Sequence, residues 1–108
     1  MKKQNKWLEE YRSFVEDWYR EIINNEYFEG NEHADKVMLT GDIEDFRYFH
    51  YGLTAEKTAE IDAKYLPAIY EAIKARFPNM ADWFMDIIKG LKIKIAISES
   101  REPQLDKE

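Results

Sequence analysis

The start of the chain carries its apolar residues at a helical period. At about 100° per residue, Trp7, Leu8, Tyr11, Phe14, Val15, Trp18, Tyr19 and Ile22 share an arc of roughly 140°. Glu9, Glu10, Ser13, Glu16, Asp17, Arg20 and Glu21 fall outside that arc. The pattern predicts an amphipathic α-helix from about Trp7 to Asn25, with Asn5 as its N-cap and an aromatic face turned to a core. Arg12/Glu16 and Glu16/Arg20 stand at i,i+4 on its outer side, each pair worth only about 0.3–0.5 kcal/mol. Tyr27 would point to the opposite face, which places the helix end near Asn24-Asn25.

Residues Glu26 to Asp35 read as a loop, with Gly30-Asn31 as its turn. Lys36-Val37-Met38-Leu39-Thr40 is a short apolar run before Gly41-Asp42 and reads as a strand. Phe46 to Tyr51 is rich in strand-favouring aromatics and would pair with it across the Gly41–Asp45 turn, a helical turn being the alternative for this segment. Thr54 then caps a second helical region running to Phe77. Pro67 inside it would remove a backbone bond to Ala63, so a kink or register change is expected there. Such a change would also carry Asp62 off the apolar arc of Leu66, Ile69, Ile73 and Phe77 and into water. Pro78 ends the segment, and Asn79 caps a third helix from Met80 to Lys89, with Gly90 at its end. Leu91 to Ile97 alternates strictly, Leu91, Ile93, Ile95 and Ile97 on one face and Lys92 and Lys94 on the other, which predicts a half-buried strand.

These elements imply an α+β fold, a predominantly helical single domain over residues 1–97 with a small, mostly antiparallel sheet in the order α-β-β-α-α-β. The alternative is an all-helical domain with an extended C-terminal arm. Residues 98–108 are polar and read as a disordered tail.

Composition narrows the class. The chain has 108 residues, 44% hydrophobic and 15% aromatic, enough for one domain with one core. The absence of cysteine excludes disulfides, thiolate metal sites and a cysteine nucleophile, and no oxidising compartment is required. No stretch approaches the roughly 20 apolar residues of a membrane span, so the expected location is cytoplasmic, without membrane association.

The net charge of −6 is unevenly spread. Between Trp7 and Asp35 nine acidic residues face only two arginines, Arg12 and Arg20. This surface repels phosphate backbones, which argues against direct nucleic-acid binding and suits a basic partner.

Four constellations could carry chemistry. The acidic loop Glu26, Glu29, Glu32, His33 and Asp35 could bind a cation, but it matches no calcium loop and no paired-histidine motif. No metal or cofactor is therefore assigned. Arg47, Tyr48, His50 and Tyr51 form a candidate recognition surface, since such residues are common in interface hot spots. On a strand, either Phe46, Tyr48 and His50 or Arg47, Phe49 and Tyr51 would be exposed. Asp62 could be a buried carboxylate with a raised pKa. The aromatic face of the first helix is generous for one small core. No glycine-rich phosphate loop and no nucleophile–base arrangement is present, so no catalytic residue is assigned.

The reading that follows is a small acidic, non-enzymatic binding protein that occupies a surface of a basic or nucleic-acid-binding protein. Toxin-neutralising immunity proteins and phage-encoded inhibitors or modulators share this size and charge, a likeness of composition alone. Its partner-facing residues would be Glu9, Glu16, Asp17, Glu26, Glu29, Glu32, Arg47, Tyr48, His50 and Tyr51. The alternative is a ligand- or metal-binding domain, possibly an enzyme, using the acidic loop and the histidines. Assembly into a homo-oligomer is a further expectation.

Overall fold

The computed structural model describes residues 2–96. Four helices follow one another: α1 (Lys2–Ile23), α2 (Glu32–Phe49), α3 (Ala59–Arg76) and α4 (Pro78–Gly90). No strand occurs among the described residues, so the α+β expectation and its sheet are overturned. The domain is all-helical, with α1 packed against α2 and α3, and α3 against α4.

The first helix presents the face its spacing predicted. Tyr11, Val15 and Trp18 are buried, with Trp7, Leu8, Phe14, Tyr19 and Ile22 packed against them, while Glu9, Glu10, Ser13, Asp17, Arg20 and Glu21 are exposed. Asn5 lies inside the helix and does not cap it, because Lys2, Lys3, Gln4 and Lys6 are adequate helix formers and nothing breaks the first turn. The helix stops in a Schellman turn. Asn25 takes a left-handed φ of 60°, its N–H donates to Ile22 O at 3.1 Å, and Glu26 N–H donates to Glu21 O at 2.8 Å.

Residues 32–49 form one helix in place of the loop end and strands expected from their sequence. Asn31 is an N-cap whose side-chain oxygen accepts from Ala34 N at 2.9 Å, so Glu32, His33 and Asp35 open a helix and are not loop. Asp35, Leu39, Ile43, Phe46 and His50 then recur at helical spacing, and all five are buried. Gly41-Asp42, taken for a turn, sits mid-helix. A mid-helix glycine costs about 1 kcal/mol relative to alanine. Burial of Leu39, Ile43 and Phe46 contributes roughly 1.5–3 kcal/mol for each side chain, so the stripe prevails. The strand alternation proposed for 46–51 is likewise replaced: Phe46 and His50 point inward together, and Tyr48 and Tyr51 point outward.

Thr54 heads a turn and not the helix itself. Its carbonyl accepts from Lys57 N at 3.1 Å and Thr58 N at 3.2 Å, and α3 starts at Ala59. The helix runs on through Pro67 without the predicted break. The lost bond falls on the carbonyl of Ala63, an exposed residue, so the defect opens toward solvent. Asp62 accordingly stays in line with Leu66, Ile69 and Ile73 and is fully buried, contrary to expectation.

Pro78 ends α3 and opens α4 as its first residue, two positions ahead of the predicted start at Met80. A second Schellman turn closes α4: Lys92 has φ 66°, Lys92 N–H donates to Lys89 O at 3.0 Å and Ile93 N–H to Ile88 O at 3.1 Å. Ile88 and Ile93 both enter the core, the apolar pairing typical of this turn. The left-handed Lys92 breaks the predicted strand at its second residue, and 93–96 has no regular structure. Ile97 and the predicted tail at 98–108 lie outside the described residues. No helix among the described residues is long and apolar enough to cross a membrane.

Candidate functional site

The residues singled out from sequence are spread around the domain. Glu9 lies 3.9 Å from Arg12 Nε, and Asp17 accepts from Arg20 Nη1 at 2.7 Å, so the outer side of α1 pairs at i,i+3 and not at the predicted i,i+4. Glu16 is half-buried and accepts from the Tyr65 hydroxyl at 3.2 Å. Glu26 and Glu29 are exposed on the connection to α2, and Glu32 pairs with Lys36 at 3.0 Å. His33 is exposed. Among the described residues no group of three or more His, Asp or Glu side chains is placed to hold a metal ion. Asp35 is buried and organises the connection instead: it accepts from Glu29 N at 2.9 Å and Gly30 N at 3.0 Å, with Arg76 Nη1 3.8 Å away.

The Arg47–Tyr51 cluster divides. Arg47 pairs with Glu44 at 2.9 Å, while Tyr48 and Tyr51 are 58% and 74% exposed with their rings edge to face at 5.5 Å. Trp7 joins this patch through Tyr48 at 5.8 Å and anchors it, its indole N–H donating to Phe49 O at 2.8 Å. His50 faces the other way, against the rings of Tyr11 and Phe46 at 5.0 and 5.2 Å. Its Nε2 is buried without a protein partner, and burial pulls its pKa down to about 4. It is therefore neutral at pH 7 and unavailable to a ligand at the surface.

The fold builds two tyrosine–aspartate pairs that spacing did not reveal, one joining α1 to α3 and one joining the α1–α2 connection to α2. The first is closed. Tyr11 donates its hydroxyl to Asp62 Oδ1, and Thr58 Oγ1 donates to Asp62 Oδ2 at 2.6 Å. All three side chains are fully buried. Desolvation raises the Asp62 pKa, and the two hydroxyl donors act against that rise. Burial and the neighbouring Asp62 raise the Tyr11 pKa.

The second pair is open. The Tyr27 hydroxyl donates to Asp42 Oδ2 beside a cleft of about 160 Å³ between α1 and α2, lined by Phe14, Asp17, Trp18, Glu21, Tyr27 and Asp42. Asp17 and Glu21 are exposed at its mouth and Asp42 is half-buried. Desolvation raises the Asp42 pKa, opposed by the Tyr27 hydroxyl, with Asp45 and Glu21 adding like-charge repulsion. Trp18 walls the cleft at 4% exposure, stacked at a tilt on Phe14 and Phe84 at 5.5 and 5.7 Å. Its indole N–H is directed toward the Tyr27 oxygen, yet it is buried without a protein acceptor in hydrogen-bond geometry. Of this set Asp17 is among the partner-facing residues expected from sequence and Phe14 and Trp18 belong to the expected aromatic face, while Glu21, Tyr27 and Asp42 were not expected at a site. The available signal was the helical spacing of Asp42 from Leu39, Ile43 and Phe46, which places it on the flank of α2's buried stripe.

Comparison with known protein families, with curated proteins and with solved structures yields no match.

Proposed function

We propose that this protein is a non-enzymatic binding protein that covers a basic surface of a partner protein, in the manner of an inhibitor or immunity protein. The observation that carries the reading is the cleft between α1 and α2. Carboxylates of Asp17, Glu21 and Asp42 meet there above aromatic walls, and Arg20 is the single cation paired with any of them at short range among the described residues. Such a site attracts positive charge and offers apolar area for it to rest on. The remaining acids of α1 and of the connection to α2 extend the same negative field and steer a basic partner toward it. That field disfavours direct contact with nucleic acid, so a nucleic-acid-binding protein would be met through its basic residues. The cytoplasm is taken as the compartment, since a cysteine-free chain needs no oxidising one.

The test is capture from a native lysate by the immobilised protein, with bound proteins identified and their basic character recorded. The wild type and a Glu21→Lys/Asp45→Lys double variant, both changes at exposed positions, are compared at low and high salt. Expected is a basic protein retained by the wild type at low salt, released by high salt, and not retained by the variant. Recovery of nothing, or capture insensitive to salt and to charge reversal, overturns the reading.

A further inference from the structure

The outer side of α2 carries a regular seam that the acidic cleft leaves unused. Ala34, Val37, Gly41, Glu44, Tyr48 and Tyr51 follow one another at intervals of 3, 4, 3, 4 and 3 residues, the seam spacing of helices packed side by side. At about 100° per residue they share an arc of roughly 100°, centred opposite the buried stripe of Asp35, Leu39, Ile43, Phe46 and His50. All six are exposed. They include three of the four large exposed apolar side chains among the described residues, Val37, Tyr48 and Tyr51. Tyr51 lies past the last helical residue, but its N–H donates to Tyr48 O at 3.0 Å, so the turn continues the line. A side chain at Gly41 would meet nothing within 4 Å, so nothing inside the chain calls for a glycine in mid-helix.

The spacing reads the same in both directions, and side-chain size does not. Ala34, Val37 and Gly41 fill the N-terminal half, Glu44, Tyr48 and Tyr51 the C-terminal half. The complement of this seam is the seam itself, turned end for end. We infer that α2 packs antiparallel on the α2 of a second copy, with Ala34 opposite Tyr51, Val37 opposite Tyr48 and Gly41 opposite Glu44 of that copy, in a two-fold homodimer. Every layer then sets a small residue against a large one, which fills the space between the helices. A parallel pairing would set Tyr48 on Tyr48 and Gly41 on Gly41, crowded at one end and empty at the other. Charge favours the same arrangement. Glu44 is paired with Arg47 at 2.9 Å, so the seam is neutral within a chain of net charge −6. Antiparallel helices also bring opposite dipole ends together. The two Glu44 carboxylates flank the axis, each held by its own Arg47, and their stems cover Gly41 of the second copy. At about 200 Å² for a whole tyrosine side chain, the exposed parts of Tyr48 and Tyr51 amount to roughly 250 Å² per copy. Two copies, with Val37 and the flanking Met38, Thr40, Glu44 and Arg47, approach the ~1,200 Å² at which stable specific interfaces begin, which corresponds to a weak dimer. Asp17, Glu21 and Asp42 lie off the seam, so the acidic clefts of both copies stay open.

Sedimentation equilibrium of the full chain from micromolar to millimolar concentration tests the association. Expected is an average mass that rises from the monomer value toward twice that value. Gly41→Gln puts a side chain where Glu44 of the second copy belongs, while improving the helix propensity of α2. It should weaken association at least tenfold with a urea midpoint no lower than that of the wild type, which separates the interface from the fold. Register is read by cross-linking, since the chain has no cysteine of its own. Chains carrying Val37→Cys are mixed with chains carrying Tyr48→Cys and oxidised, and the products are separated by mass. Expected is a disulfide joining one chain of each kind, formed at least tenfold faster than either variant joins to itself. A wild type that stays monomeric at millimolar concentration, association unchanged by Gly41→Gln, or cross-links that form as fast between like positions overturns the dimer.

Discussion

Tyr11–Asp62 and Tyr27–Asp42 are the same two side chains joined by the same hydrogen bond, and they serve opposite ends. In the first, Thr58 takes the second carboxylate oxygen, and the pair sits among Ile61, Leu66 and other core residues with no exposed atom to spare. In the second, Asp42 is half-exposed, like charges flank it, and a neighbouring donor remains unsatisfied. The pair itself does not decide its role. What decides it is whether the fold supplies the last partners of the carboxylate or leaves it half-open to solvent.

The contrast should appear first in stability. Asp62→Ala strips the acceptor from two buried hydroxyls, each about 1–3 kcal/mol when unpaired, and should lower unfolding free energy by roughly 3–5 kcal/mol. Asp42→Ala should cost less, about 1–2 kcal/mol, because it strands one buried hydroxyl, that of Tyr27, and not two. Urea unfolding of both variants measures the gap, and equal losses would erase the distinction. Tyr11→Phe is the next largest, about 1–3 kcal/mol, since Asp62 Oδ1 is left buried without its donor. Tyr27→Phe should fall within about 0.5 kcal/mol of wild type by the same measurement.

The dependence on pH sharpens the comparison further. His50, packed on Tyr11, is protonated more easily in the unfolded chain, where its pKa is 6.5, than in the fold, where it is about 4. The unfolded state therefore binds the proton first, and this contribution to stability is lost as pH falls from about 6.5 toward 4. Asp62 and Asp42 act in the opposite sense: their raised pKa values mean that the folded state takes their protons first, which favours the fold as they protonate. His50→Phe should flatten the loss between pH 6.5 and 4.5 in unfolding experiments. An unchanged slope would show that His50 is not the group responsible.

How much of this could be read from sequence depended on length of pattern. The eight apolar positions of α1 span more than four turns and admit only one period, so its inner and outer faces were legible. Val37, Met38 and Leu39 are too few to separate a strand from a helix. Glycine at position 41 then tipped the reading toward a turn, although Leu39, Ile43, Phe46 and His50 already held the helical spacing. Leu91 to Ile97 alternates as a strand does, yet the chain turns left-handed at Lys92 to close α4, a choice made by the pairing of Ile88 with Ile93. Asp62 stood in the apolar arc from the beginning. Its burial was legible only to a reading that also placed Tyr11 and Thr58 beside it, which requires the packing of α1 on α3. The open cleft joins residues from α1, the connection and α2, and no local window contains it.

The clasp between Trp7 and the end of α2 makes a further statement about which substitutions the chain tolerates. A methyl group added at Gly52 would stand 3.1 Å from Trp7 Nε1, so even alanine there presses on the indole that bonds Phe49 O. Gly30 is held for a different reason, a φ of 101° that other residues adopt only with strain. Gly41 and Gly90 meet nothing within 4 Å and carry neither constraint. A saturation library should therefore divide the four glycines into two permissive and two restricted positions. Losses at position 52 should be relieved by a smaller side chain at position 7, and losses at position 30 by no neighbour at all.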